Sequence, residues 1–331
     1  MSTELRTDPL SGLRALVAPE RAARPGALLA VTPATRVDPA GDPFAPGNER
    51  ETPPEVHAVR PDGSAPDTPG WQVRVVPNRY PALDPHAPEP GAVARRDLFA
   101  VQAARGAHEV VVNAPDGVQS LADLEPEQVA LAFGAWRARM AHHADAGAAC
   151  VHLFVNERPE GGASLPHTHA QLAALDFVPG HVARERERFA AHAVRTMGGD
   201  LLQDLVQEEV KLRERLVAYD DDCVMLAAFA PRAAFQLLLA PRRPQPRFEA
   251  EAPAVGAALL HDALRRLGRV LGAVPPLNLW VRTAPRGADH FCWRIDVLPR
   301  LAHHAGFELG TGLAMSPVAP EDAARQLRDA G

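Results

Sequence analysis

Residues 151–175 read VHLFVNERPEGGASLPHTHAQLAAL. With Cys150 in front, the β-branched and aromatic run predicts a strand over 150–157. A Pro-Gly loop breaks it, and polar alternation resumes at His167. In extended backbone, side chains two apart share a face, so His167, His169 and Gln171 are expected together, with Thr168, Ala170 and Leu172 opposite. Ahead of them Gly161, Gly162, Ala163 and Ser164 expose amides with little side-chain bulk. Such a stretch suits phosphate oxygens, and the Ser164 hydroxyl adds a donor. A neutral imidazole beside that cradle can attack phosphorus, giving a phosphoramidate that a second phosphate later displaces. An isolated His-x-His pair is more often structural. Here the small-residue lead and the matching glutamine argue for two-step nucleotidyl transfer.

The same order recurs in LNLWVRTAPRGADHFCWRIDVLP (277–299): strand, Pro-Gly loop, polar alternation, strand. A helical pattern at 254–273 precedes it, just as Val129, Phe133, Trp136 and Met140 repeat at helical spacing within 125–147 ahead of the first. The repetition predicts a duplicated α+β unit. Further strands are expected in WQVRVVPNRYPAL (71–83), AHEVVVNAP (107–115), CVMLAAFA (223–230) and AFQLLLAP (234–241). One long helical pattern covers about 181–217. Residues 1 to about 70 are rich in Pro and Gly and read as an irregular arm carrying short strands.

Composition narrows the function. The chain has 331 residues, with 46% hydrophobic and 23% charged, which is enough to bury a large core. A formal net charge of −6 argues against broad binding to nucleic acid or anionic membranes, though not against a local arginine cluster for phosphate. The three cysteines, Cys150, Cys223 and Cys292, lie far apart with no CxxC spacing, as expected in a reducing compartment. MSTELRTDPL has no apolar signal core, and the most apolar stretch is broken at Pro231 and Arg232. A cytoplasmic protein is expected.

The segment GGASLPHTHAQL (161–172) resembles the active-site segment of the galactose-1-phosphate uridylyltransferase family, a branch of the histidine-triad superfamily. ELRTDPLSG, APERAARPG, DPFAPGNERETPPEV, VRVVPNRYPAL, HEVVVNAPDG, FVNERPEGGAS and IDVLPRLAHHAGFELGTG extend the likeness in order along nearly the whole chain. The resemblance implies duplicated histidine-triad-like units, with antiparallel sheet flanked by helices. The first would occupy 1–176, with the arm and the His-x-His-x-Gln segment, and the second 177–331. It implies His169 as nucleophile, with Gln171 and Ser164 holding phosphates. Arg21, Arg24, Asn78 and Asn156 would help to bind the nucleotide, beside the Gly162 and Ala163 amides. Glu308 matches a position near sugar hydroxyls. Glutamine at the third polar position, where superfamily hydrolases carry histidine, implies a transferase. Family members are commonly dimers that share residues across the interface, so a homodimer is implied.

The chain departs from the family at its metals. Many members hold zinc with a CxxC pair in the arm, a histidine after the following turn and the first histidine of His-x-His. Here Asp42-Pro43-Phe44-Ala45 and Asp116-Gly117 stand at the first two places, so His167 alone remains and would act as a hydrogen-bond partner instead. At a second site the matching residues are Glu185, Arg282, Cys292 and Arg294, and arginine cannot serve as a ligand. No bound metal or other cofactor is expected. Arg282 and Arg294 are expected to pair with Glu185 and Asp296, fixed guanidinium charge replacing that of a cation.

The leading function is exchange of a nucleoside monophosphate between a nucleotide sugar and a sugar 1-phosphate, through a nucleotidyl-histidine. The alternatives are a phosphorylase acting on a nucleotide sugar or dinucleoside polyphosphate, and a non-catalytic nucleotide-binding homologue. A covalent adduct separates the last from the others. The acceptor, sugar 1-phosphate or inorganic phosphate, separates the first two. The residues do not identify base or sugar.

Overall fold

Leu153, Val155, Ala170 and Leu172 are fully buried. They alternate with half-buried Phe154, Asn156 and Gln171, and this period of two makes their segments sheet strands with one face against helices. The computed structural model describes residues 2–91 and 98–331. Strands β1 (Glu4–Thr7) and β2 (Arg14–Val17) form a hairpin whose second strand pairs in parallel with the late strand β13 (Ala314–Ser316), tying the two ends of the chain together.

The main sheet has ten strands, all paired antiparallel. The first half supplies β3 (His57–Val59), β4 (Val73–Pro77), β5 (Gly106–Val112), β6 (Cys150–Glu157) and β7 (His169–Leu175). The second supplies β8 (Leu216–Tyr219), β9 (Cys223–Ala227), β10 (Leu237–Pro241), β11 (Leu277–Arg282) and β12 (Arg294–Pro299). Their order across the sheet is β3-β4-β5-β7-β6-β11-β12-β10-β9-β8. It reads as the same five-strand arrangement placed twice about the central β6–β11 pair, and the chain passes from one set to the other after β7. The expected α+β duplication is present as one continuous sheet.

Helices α1 (Pro126–Asp145) and α4 (Ala257–Leu271) lead into β6 and β11 and pack together on one face. Val129, Phe133, Trp136 and Met140 of α1 are fully buried there. Each such side chain contributes roughly 1.5–3 kcal/mol by leaving water.

The opposite face is covered differently in the two halves. Over the first lies the arm, with Phe44 and Trp71 against Val76, Val110 and Val112. Arg74 holds that arm down: it is 1% exposed and bonds Glu55, Thr52 and Asp67. Over the second lie α2 (Gly180–Thr196) and α3 (Leu201–Leu212), with Phe189, Leu202 and Val206 on Leu226 and Leu238. These two helices correct the single long helix expected over 181–217. Met197 ends α2 with positive φ, Gly198 and Gly199 follow, and the Asp200 carboxylate caps α3 by accepting from the Gln203 amide. The end of the expected helix is β8 instead. Helices α5 (Gly306–Thr311) and α6 (Pro320–Asp329) complete the chain. Among the described residues, no helix is long and apolar enough to cross a membrane.

Candidate active site

His169 opens β7, hydrogen-bonded into the sheet opposite Val112. Just before it, the Thr168 amide donates to the Val118 carbonyl and the Thr168 carbonyl accepts from the Asn113 amide, so the approach to the strand is anchored at the end of β5. His169 is 4% exposed, and its Nδ1 lies 2.8 Å from the carbonyl oxygen of His167. A carbonyl only accepts, so Nδ1 carries the proton and Nε2 keeps its lone pair. Burial is the main influence on this imidazole and pushes its pKa below the ordinary histidine value; the positive charge of His167 adds to that, while the carbonyl bond and Asp42 oppose it. The ring is therefore held neutral with its Nε2 lone pair free, and the Phe44 ring stands edge-on at 5.3 Å.

His169 and Gln171 line a cavity of about 410 Å³ with Asn78, Arg79, Ser164 and Phe44. His167 does not line it. That side chain is fully buried, with Nδ1 2.6 Å from Asp42 Oδ2 and Nε2 2.8 Å from the Ala114 carbonyl oxygen. Both ring nitrogens face oxygen acceptors. Of the three alternating polar residues, two reach the cavity and the first braces the backbone on which His169 sits.

The Gly-Gly loop differs from its expected role. The amides of Gly161, Gly162 and Ala163 donate to the carbonyls of Arg158 and Pro159, so the cradle amides expected at Gly162 and Ala163 are taken up inside the turn. The glycines have conformational reasons instead. A Cβ on Gly161 would stand 2.7 Å from the Leu277 carbonyl oxygen, and Gly162 has a φ of 88°. The loop's free donors in the cavity are those of Ser164.

Asn156 stands on the same sheet face as His169, one step along the β6–β7 register from the Val155–Ala170 pair. Its Oδ1 accepts from Asn278 Nδ2 at 2.8 Å, and the same NH₂ reaches the Gly161 carbonyl, so the two asparagines tie the loop to the centre of the sheet. Asn78 Oδ1 accepts from the Tyr80 amide, which closes the turn at the cavity rim.

Arg21, Arg24 and Glu308 are not among the residues around this cavity. Both arginines are exposed; Glu308 feels the charge of Arg21 and accepts from the Ala305 amide, which holds its carboxyl below the usual range. Phe44, Arg79 and His108 belong to the site, but nothing in residue type or spacing singles them out. His108 Nδ1 accepts from the Ala82 amide, so its Nε2–H donates to Gln171 Oε1 at 3.0 Å, and the glutamine NH₂ has no partner among the described residues. The one available signal was alternation along 108–112, which puts His108 on the face of Val110 and Val112.

The residues present do not fit zinc in the manner of the family. Asp42 and His167 bond each other rather than converge with other ligands, and among the described residues no three His, Cys, Asp or Glu side chains come together. At the second position Glu185 lies 3.0 Å from Arg294 and 3.4 Å from Arg282, and Arg294 Nε lies 3.1 Å from Asp296. Burial raises the Cys292 thiol to about 12.

A duplicated antiparallel sheet that presents a neutral imidazole at a cavity on one half is an arrangement suited to nucleotidyl transfer. Residues 1–179 match the family described as galactose-1-phosphate uridyl transferase, N-terminal domain, and residues 114–330 match a domain family of unknown function. The chain belongs to the galactose-1-phosphate uridylyltransferase family and is a nucleotidyltransferase-type enzyme, divergent at the metal positions.

An ADP-glucose phosphorylase of Arabidopsis thaliana is 28% identical over 99% of this chain and 93% of its own length. A galactose-1-phosphate uridylyltransferase of Rattus norvegicus is 29% identical over 76% of this chain and 69% of its own. The crystal structure of an ADP-glucose phosphorylase from Arabidopsis thaliana with bound ADP-glucose superposes with a TM-score of 0.82 at 27% identity, covering 99% of both chains. A uridylyltransferase structure gives 0.75 at 26% identity, covering 99% of this chain and 98% of the other.

Proposed function

We propose that the protein exchanges a nucleoside monophosphate between a nucleotide sugar and a hexose 1-phosphate, in the manner of a hexose-1-phosphate uridylyltransferase, with His169 as the covalent carrier. The observation that carries this is the 2.8 Å contact from His169 Nδ1 to a carbonyl, which leaves the Nε2 lone pair available at a 410 Å³ cavity. Nε2 attacks the α-phosphorus. The bond from that phosphorus to the bridging oxygen breaks, and the sugar 1-phosphate leaves with the electron pair. An oxygen of the second sugar 1-phosphate then attacks the phosphorus and returns the pair to Nε2.

The Ser164 hydroxyl, the Gln171 NH₂ and Arg79 donate to phosphoryl oxygens as charge develops on them. Asn78 and Asn156 shape the rim and the loop. His167 holds the carbonyl that orients His169. No metal takes part, because Asp42 and His167 satisfy each other; stoichiometric zinc or iron in purified protein would reject this.

The chain works as a homodimer, in which Arg21, Arg24 and Glu308 of one protomer complete the cavity of its partner. Support comes from their position away from their own cavity. The buried, unpaired cysteines fit a cytoplasmic setting.

The test is incubation with labelled UDP-, ADP- and GDP-sugars, denaturation, and mass spectrometry for an acid-labile nucleotidyl group. The adduct is expected on His169 and absent in His169→Ala. No adduct with any of them refutes the carrier role. A second reading, phosphorolysis of a nucleotide sugar, is favoured by the full-length match to the ADP-glucose phosphorylase. The same adduct would form, and products made with inorganic phosphate or galactose 1-phosphate as acceptor decide between the two.

A further inference from the structure

The second half of the sheet carries its own cavity, of about 120 Å³, on the same sheet face as the His169 cavity. Its position follows from the duplication. Strand β12 pairs with β11 as β7 pairs with β6, and Arg294 stands opposite Arg282 much as His169 stands beside Asn156. Two residues further on, Asp296 holds the place of Gln171. At the place that His169 takes in the first unit, the second unit carries a guanidinium.

Its wall carries buried polar groups without hydrogen-bond partners. Among the described residues, Trp280 Nε1 and Arg294 Nη1 are buried without a hydrogen-bond partner, as are the second oxygens of Glu185 and Glu209, Oε2 in each, whose carboxylates are otherwise ion-paired. Among the described residues, Arg232 makes no ion pair and its guanidinium no hydrogen bond; it lies over the Trp280 ring at 4.7 Å. Arg282 flanks the same ring at 5.8 Å. The carboxylates at the wall are engaged: Glu185 by Arg282 and Arg294, Asp296 by Arg294, Glu209 by Arg215, and Asp8 by the Leu10 and Ser11 amides. Burial depresses the Arg232 pKa most; Asp296 and Asp8 oppose this, and the charges of Arg282 and Arg294 depress it further.

We propose that this cavity binds a small tetrahedral oxyanion, inorganic phosphate above all, between Arg232, Arg294 and the Trp280 indole. Guanidinium and indole only donate, so a ligand held between them must be rich in acceptors, and an anion supplies the ion pair that Arg232 lacks among the described residues. The volume is several times what one water needs, which leaves room for a tetrahedral oxyanion. The site does not depend on the chemistry at His169.

Equilibrium dialysis with labelled inorganic phosphate tests this. One phosphate per chain is expected to bind in a protein carrying Ser164→Ala and Arg79→Ala, which weaken the His169 cavity, and to be displaced by sulfate. Arg232→Met is expected to weaken that binding at least about tenfold while leaving nucleotidyl adduct formation on His169 unchanged. Trp280→Phe, which keeps the ring under Arg232 and deletes one donor, should weaken it severalfold and covers the case in which Arg232→Met does not fold. Phosphate binding unaltered by both variants, or absent from the wild type, overturns the proposal. Displacement by glucose 1-phosphate as effective as by phosphate overturns the assignment to a free inorganic oxyanion.

Discussion

At His169 the decisive quantity is the protonation of Nε2. Because burial holds this imidazole below the ordinary value, it stays neutral as the pH falls through about 6.5, where an unperturbed histidine would become charged. The rate of adduct formation is therefore expected to hold level through that range and to decline only at lower pH. Single-turnover measurements at saturating nucleotide sugar check this, and an inflection at or above the ordinary histidine value would contradict it. Gln171 depends on His108 for its orientation. Loss of one hydrogen bond of about 1–1.5 kcal/mol predicts that His108→Ala slows adduct formation by up to about tenfold. Since the effect passes through Gln171, His108→Ala added to Gln171→Ala should cost little more, and full additivity in the double-mutant cycle would refute the coupling.

Between elements, the contact that matters most joins the arm to the start of β7. Asp42 and His167 are both almost wholly buried, and removing one member of such a pair leaves the other without its counterion. Asp42→Ala is expected to lower stability by about 3 kcal/mol and to reduce adduct formation, because the carbonyl orienting His169 belongs to His167. Urea unfolding followed by tryptophan fluorescence measures the first effect, and a midpoint within error of wild type would exclude it. The strands and α1 were legible because periodicity and Pro punctuation are local. The break between α2 and α3 was carried by Gly198, Gly199 and Asp200, outvoted by the helical pattern on either side. The Gly161-Gly162 pair was legible as a special turn, but not its direction: its amides close on Arg158 and Pro159 because β11, more than a hundred residues later, lies against Gly161.

For the whole molecule, acid stability and assembly are the measurable properties. Glu109 of β5 is bonded by Arg139 and His143 of α1. Burial alone would raise its pKa, but those bonds outweigh it and hold the carboxyl at about 2. An unfolded glutamate titrates near roughly 4.3, so this tie contributes fully above that pH and is lost as the pH falls towards the folded value. Glu109→Gln should be less stable than wild type near neutrality and lose less stability over that acid window; equal pH slopes in denaturant midpoints would rule this out. If protomers share their sites, mixing inactive His169→Ala with an inactive Arg21→Ala/Arg24→Ala variant should restore about a quarter of wild-type activity, since half the dimers are hybrids with one intact site of two. No recovery after exchange of subunits would place those arginines elsewhere.

The linear order of residues determined the strands, their repetition and the alternating His167, His169 and Gln171, because each is written in spacing along a few neighbouring residues, while the choice of His169 as candidate nucleophile came from the family resemblance. Only the tertiary structure decided that His167 turns to Asp42, that His108 governs Gln171 and that four arginines line a second cavity. Those contacts join segments far apart in the chain, where sequence carries residue type but neither distance nor direction.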